Sequence, residues 1–176
     1  TVVFNNVYGW HYSNIPALGI WRSVKILGEP SIKINPVLVA TRDLAQGRIS
    51  IRTDLTSVLA NWKGKLLGTI EPVNFSGKSH HFQLEIVSPD NNKSLHLSCL
   101  IPDPHLWWPN DLGEPNLYRL RLTFVPAEGI PDTYETTFGL RTIEMAPLPV
   151  KNTSKLYNWT FIINGQRHFV KGNGWC

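Results

Sequence analysis

From Ser31 onward, apolar and polar residues alternate in short runs set apart by turn-forming residues. The clearest run is Arg48-Ile49-Ser50-Ile51-Arg52-Thr53-Asp54-Leu55, whose two-residue period puts isoleucines on one face and arginines on the other, as a half-buried strand requires. His81-Phe82-Gln83-Leu84-Glu85-Ile86-Val87 repeats the pattern and stops at Ser88-Pro89-Asp90-Asn91-Asn92, a turn by composition. Ser94 to Leu100 sorts Leu95, Leu97 and Cys99 from Ser94, His96 and Ser98, and Leu117 to Val125 alternates in the same way. Lys65 to Pro72 and Thr133 to Ile143 add two more runs, and Ile32, Ile34, Val37 and Val39 fit one strand disturbed by Pro36, which belongs on an edge or at a bulge. These strands, with a turn about every eight to twelve residues, predict an all-β chain built on an immunoglobulin-like β-sandwich.

The flanks read differently. Thr1 to about Leu27 is aromatic and apolar, Ser23-Val24-Lys25-Ile26 alternates like a strand, and Gly28-Glu29-Pro30 ends the segment. A few strands cannot bury their apolar faces alone, so this piece is expected to be the last part of an earlier domain. Met145-Ala146-Pro147-Leu148-Pro149 reads as a linker, because its prolines lack the N–H a paired strand needs. Beyond it, Trp159-Thr160-Phe161-Ile162-Ile163 and Arg167-His168-Phe169-Val170 flank Asn164-Gly165, a dipeptide suited to the two positive φ angles of a type I′ hairpin turn.

Composition narrows the class. Of 176 residues 42% are hydrophobic and 17% charged, enough apolar material for a core, and Pro and Gly number thirteen each, which suits strands and tight turns. The net charge of +4 comes from singly scattered Lys and Arg, so nucleic acid is not indicated. No apolar run is long enough to span a membrane as a helix. Two cysteines, Cys99 and Cys176, make no disulfide framework, and no His/Cys spacing suits a metal. Neither a G-x-S-x-G elbow nor a phosphate-binding glycine loop is present. Four N-x-S/T sequons, at Asn74, Asn92, Asn152 and Asn158, exceed the roughly two expected by chance. They are candidate glycosylation sites and favour a secreted or lysosomal/vacuolar parent over an unassigned compartment.

Four motifs in order carry more than any one of them: Gly19-Ile20-Trp21-Arg22; Leu106-Trp107-Trp108-Pro109 with Asn116-Leu117-Tyr118; Phe138-Gly139-Leu140-Arg141-Thr142-Ile143-Glu144; and Ile163-Asn164-Gly165-Gln166-Arg167-His168-Phe169-Val170-Lys171-Gly172-Asn173-Gly174-Trp175. The succession resembles the glycoside hydrolase family 2 enzymes, and within them the β-mannosidase and exo-β-glucosaminidase branch. The resemblance implies three parts: residues 1–29 as the end of a sugar-binding-like jelly-roll domain, 30–146 as the sandwich, and 147–176 as linker, entry hairpin and first strand of a TIM barrel. It implies a parent that is a retaining exo-glycosidase acting on terminal β-linked mannose, or alternatively on glucosaminides, without a cofactor. The partners implied are the remainder of the same polypeptide and a carbohydrate at the barrel mouth.

Such chemistry needs two carboxyl groups about 5–9 Å apart, but none of Glu71, Glu85, Asp90, Glu114, Glu135 and Glu144 matches the family's Asn-Glu acid/base motif, so no catalytic residue is expected within 1–176. Adjacent residues on a strand face opposite ways, so Trp107 and Trp108 are read as packing at a domain junction rather than as one sugar platform. Arg22 and Arg141 are junction candidates, since a guanidinium can tie several carbonyls and a carboxylate together; the alternative is a solvated arginine on a strand face. On the resemblance, Trp175 and Asn173 border the sugar subsite. A stand-alone carbohydrate-binding module and an adhesion sandwich are the rival classes.

Overall fold

The computed structural model describes residues 19, 20, 22–26, 28–148, 159–169 and 172. Every regular element among them is a strand. One sheet is centred on β3 (Arg48–Ser57), which pairs antiparallel along one side with β6 (Asn92–Leu100) and along the other with β1 (Ile32–Ile34) and β2 (Leu38–Asp43). The second sheet runs β5 (His80–Ser88), β4 (Trp62–Pro72), β7 (Tyr118–Pro126), β8 (Asp132–Phe138). A third, small sheet comprises β9 (Ile143–Pro147), β10 (Trp159–Ile163) and β11 (Gln166–His168).

Alternation dictates what lies between the two large sheets. Ile49, Ile51 and Leu55 of β3, Leu66 and Ile70 of β4, and Leu120, Leu122 and Phe124 of β7 are fully buried, and Ile32, Ile34, Trp62 and Ile86 join them. Trp62 meets Phe124 edge-on with ring centroids 5.5 Å apart, and its indole N–H donates to the Asp90 carbonyl at 2.8 Å, so the large ring is buried without an orphaned donor. Thr53, a buried polar side chain, donates to the Asn35 carbonyl at 2.8 Å. Gly68 in β4 lies under the Phe82 ring; a Cβ there would stand 2.0 Å from a ring carbon, so this position is a strand residue only as glycine.

The outward positions of the second sheet are a lattice of cross-strand pairs. Lys65–Glu85 (3.1 Å), Arg119–Glu71 (3.2 Å) and Arg121–Glu135 (2.5 Å) span neighbouring strands, and the Thr123 and Thr133 hydroxyls bond at 3.0 Å. Three of the acids judged unsuited to catalysis thus serve as partners of exposed cations, each such pair contributing roughly 0–1 kcal/mol.

Pro36 falls where its chemistry requires. It separates β1 from β2, both on the edge of the sheet, and the register against β3 slips by one residue between Ile34↔Leu55 and Leu38↔Arg52. The expected single strand is therefore one edge strand broken by a bulge.

Three expectations are corrected. Ser23–Ile26 form no strand; Val24 is 77% and Ile26 100% exposed, and no strand among the described residues runs alongside to supply the hydrogen bonds that make alternation a strand. The run from Thr133 to Ile143 is two strands rather than one, since β8 ends at Phe138 and Ile143 opens β9 in another sheet. The linker reading of 145–149 fails for Met145, Ala146 and Pro147, which pair with Phe161, Thr160 and Trp159. Proline lacks an N–H but keeps its carbonyl: Pro147 ends β9, whose partner among the described residues is β10, and its carbonyl accepts from the Arg167 guanidinium at 3.1 Å.

Candidate functional site

Where the sandwich meets the small sheet, three of the four sequence motifs converge. The segment after β6 returns along Leu140 through a parallel bridge at Leu106, and the Trp107 N–H donates to the Leu140 carbonyl at 2.9 Å. Gly139 allows this approach: a Cβ on it would sit 2.6 Å from the Trp107 Cβ. Phe138-Gly139-Leu140 is thus a strand end, a bare backbone position under an indole, and a fully buried anchor.

Asn164 closes the junction. It occupies the first central position of the β10–β11 turn with φ 50°, followed by Gly165 at 80°, the positive pair expected of Asn-Gly. Its backbone N–H donates to the Thr142 carbonyl (3.1 Å), its Oδ1 accepts from the Thr142 N–H (2.9 Å), and its Nδ2 donates to the Trp107 carbonyl (2.9 Å). One turn residue therefore ties the hairpin to both the β8–β9 connection and the Trp107 segment. The turn signal identified Asn164 in the sequence; its second role, as a clamp, depends on neighbours far along the chain.

Arg141 is placed beside this clamp. Its guanidinium carbon lies 4.3 Å from the Trp107 ring centroid, and its backbone N–H donates to Thr41 Oγ1 at 3.2 Å. Among the described residues, its guanidinium contributes a cation over an aromatic face, worth about 0.5–1 kcal/mol where exposed. Trp107 and Trp108, both half-buried, do diverge: Trp107 covers Gly139 while Trp108 covers Gly113, and the Trp108 N–H donates to the Glu114 carbonyl at 3.1 Å. Arg22 is exposed. Trp175, Asn173, Asn152 and Asn158 lie outside the described residues.

The two described sequons differ. Asn74 is exposed, yet its carboxamide bridges two segments, donating to the Pro115 carbonyl (2.9 Å) and accepting from the Leu117 N–H (2.8 Å). Asn92 opens β6, exposed, opposite Thr56.

The small sheet has two unlike faces. Register puts Ile143 with Ile163, Met145 with Phe161 and Pro147 with Trp159, hence all six on one side, while Glu144, Ala146, Thr160, Ile162 and Arg167 take the other. Ile163, next to the clamp, is buried, but Ile143 is 48% exposed and Met145 and Trp159 are each 57% exposed.

The chain is similar to several known proteins. A β-mannosidase of Dictyoglomus thermophilum superposes with a TM-score of 0.74 at 29% identity, over 89% of this chain and 19% of that one. The exo-β-D-glucosaminidase of Streptomyces avermitilis is 27% identical over 137 residues, covering 78% of this chain and 14% of its own length. β-Mannosidase B of Aspergillus clavatus is 25% identical over 96% of this chain and 19% of its length. The chain thus spans less than a fifth of each of these relatives. The family model for glycosyl hydrolases family 2 matches residues 30–141, the sandwich up to the arginine stacked on Trp107, and the chain belongs to that family.

Proposed function

We propose that these residues are the non-catalytic part of a retaining exo-glycosidase that removes terminal β-linked mannose, and that they support its catalytic barrel and shape the barrel's entrance. The observation that carries this reading is the apolar side of the β9–β10–β11 sheet, clamped at one end by Asn164 and exposing Ile143, Met145 and Trp159. A sheet needs a second layer over its apolar face, and a (β/α)₈ barrel of the same polypeptide supplies one. The proposed domain limits are 1–29, 30–146 and 147–176, with β9 reaching across the last limit to pair with the hairpin, Arg141, Trp107 and Trp108 at the junction and Trp175 and Asn173 at the sugar subsite. Arg22 is proposed to serve the junction with the preceding domain.

Mannose is favoured over glucosamine because the mannosidase structure superposes at 0.74, against 0.57 and 20% identity for the exo-chitosanase of Amycolatopsis orientalis. The glucosaminide reading keeps the support of the Streptomyces relative. Retention follows from paired carboxylates about 5 Å apart, which the barrel and not this chain would carry. Assays on chromogenic β-mannosides and β-glucosaminides decide the matter. The 176-residue chain alone is expected to be inactive, and the longer protein to cleave mannosides with retained anomeric configuration by NMR. Turnover by the short chain that is lost on mutating one of its own acids would overturn the reading.

A further inference from the structure

Between the β4–β5 loop and the segment after β6 the sandwich holds a cleft of about 330 Å³, lined by Phe75, Lys78, His80, Asp103, His105 and Tyr118 together with Ile101 and Pro102. Its aromatic wall is ordered: Phe75 stacks on the His105 imidazole with centroids 4.5 Å apart and meets Tyr118 edge-on at 5.0 Å. Tyr118 is 2% exposed, and its hydroxyl oxygen accepts the His105 backbone N–H at 3.0 Å, which leaves the O–H proton to donate. Among the described residues, the side chains of Lys78, His80 and Asp103 make no hydrogen bond or ion pair. Rings packed among unspent donors and a carboxylate, in a volume within the range of small-ligand sites, are the makings of a binding pocket.

We propose that this cleft binds a neutral hexopyranoside. The charges choose the ligand class. One carboxylate, Asp103, and one ammonium, Lys78, line the cleft, so an anionic or cationic ligand satisfies one and repels the other. A ring of hydroxyls satisfies both, accepting from Lys78, the Tyr118 hydroxyl and an imidazole N–H and donating to Asp103. The apolar C–H face of such a sugar matches the surface of Phe75 and Pro102. Two other recesses among the described residues fit less well. One, of about 350 Å³, lies on the outer face of the β3–β6 pair, where Ser94 already donates to Asp54 at 2.6 Å. The other holds about 200 Å³ at the tip of the β3–β4 connection.

The test is a titration of the ¹⁵N-labelled 176-residue chain with methyl β-D-mannopyranoside, methyl β-D-glucopyranoside, glucuronate and glucosamine. Saturable shifts are expected with the two neutral glycosides, centred on the amides of Gly77, Asp103 and His105. Asp103→Asn should weaken them about tenfold by removing a charged acceptor. Asparagine tolerates the left-handed backbone at Asp103 (φ 51°), so the rest of the spectrum should be unchanged. Absence of saturable shifts at those amides, equal affinity in Asp103→Asn, or tighter binding of glucuronate or glucosamine would each overturn the proposal. The result is independent of the glycosidase reading, which rests on turnover by the longer protein.

Discussion

At Gly68 a single missing carbon decides whether two strands can pack. The Phe82 ring occupies the volume where a side chain would start, so Gly68→Ala must displace a ring held between sheets, at a cost of about 1–3 kcal/mol. Urea denaturation should show that loss, and Phe82→Leu in the same chain should restore part of it; an additive double mutant would mean that the ring is not the obstacle. Tyr118 makes a different kind of residue-scale commitment. Burial raises its hydroxyl pKa, while the hydrogen bond from the His105 N–H opposes the rise. The native state then holds this proton more tightly than the unfolded chain, so the associated stability is whole below the ordinary tyrosine value of about 10 and is lost as pH climbs through the native value. Tyr118→Phe should cost about 1 kcal/mol at neutral pH, where the His105 N–H loses its acceptor, and should flatten the decline at alkaline pH. Denaturant melts across the alkaline range check both effects, and an alkaline slope identical to the parent's would contradict the second.

Elements were legible in the sequence to the extent that their character is local. The two-residue period of Arg48–Leu55 suffices to bury Ile49 and Ile51 completely, and Pro36 announces a broken edge because it lacks an N–H wherever it sits. Asn164-Gly165 announces its own turn for the same kind of reason. What stayed hidden is pairing between distant segments. Nothing inside Met145-Ala146-Pro147 says that Trp159-Thr160-Phe161 will lie beside it, so a strand was taken for a linker. Nothing in Ser23–Ile26 says that no partner runs alongside. The cleft around Phe75 is equally unreadable, since Lys78 and Asp103 are far apart in sequence and line one recess only through the fold. At this scale the hairpin's attachment can be tested. Asn164→Gly keeps the backbone conformation and removes the two side-chain bonds to Thr142 and Trp107. Amide exchange in β10 and β11 should then quicken by about one to two orders of magnitude, as expected for losing about 1–3 kcal/mol of local protection, while β3 and β7 remain protected. Equal acceleration throughout would mean that the hairpin is not a separately attached unit.

Across the whole molecule, two large sheets make a sandwich, the second of which carries three cross-strand ion pairs on its outer side, whereas the small sheet leaves Ile143, Met145 and Trp159 uncovered. The contrast separates a surface suited to water from one suited to a second layer. The clamp then has a mechanical corollary. Because Asn164 grips Thr142 and Trp107 together, the hairpin cannot swivel about one point of attachment without shearing the other. The heading of the chain as it leaves β11 is consequently set by the sandwich, and an engineer wishing to transplant this region between homologous hydrolases would need to move Trp107, Gly139, Thr142 and Asn164 as one cassette.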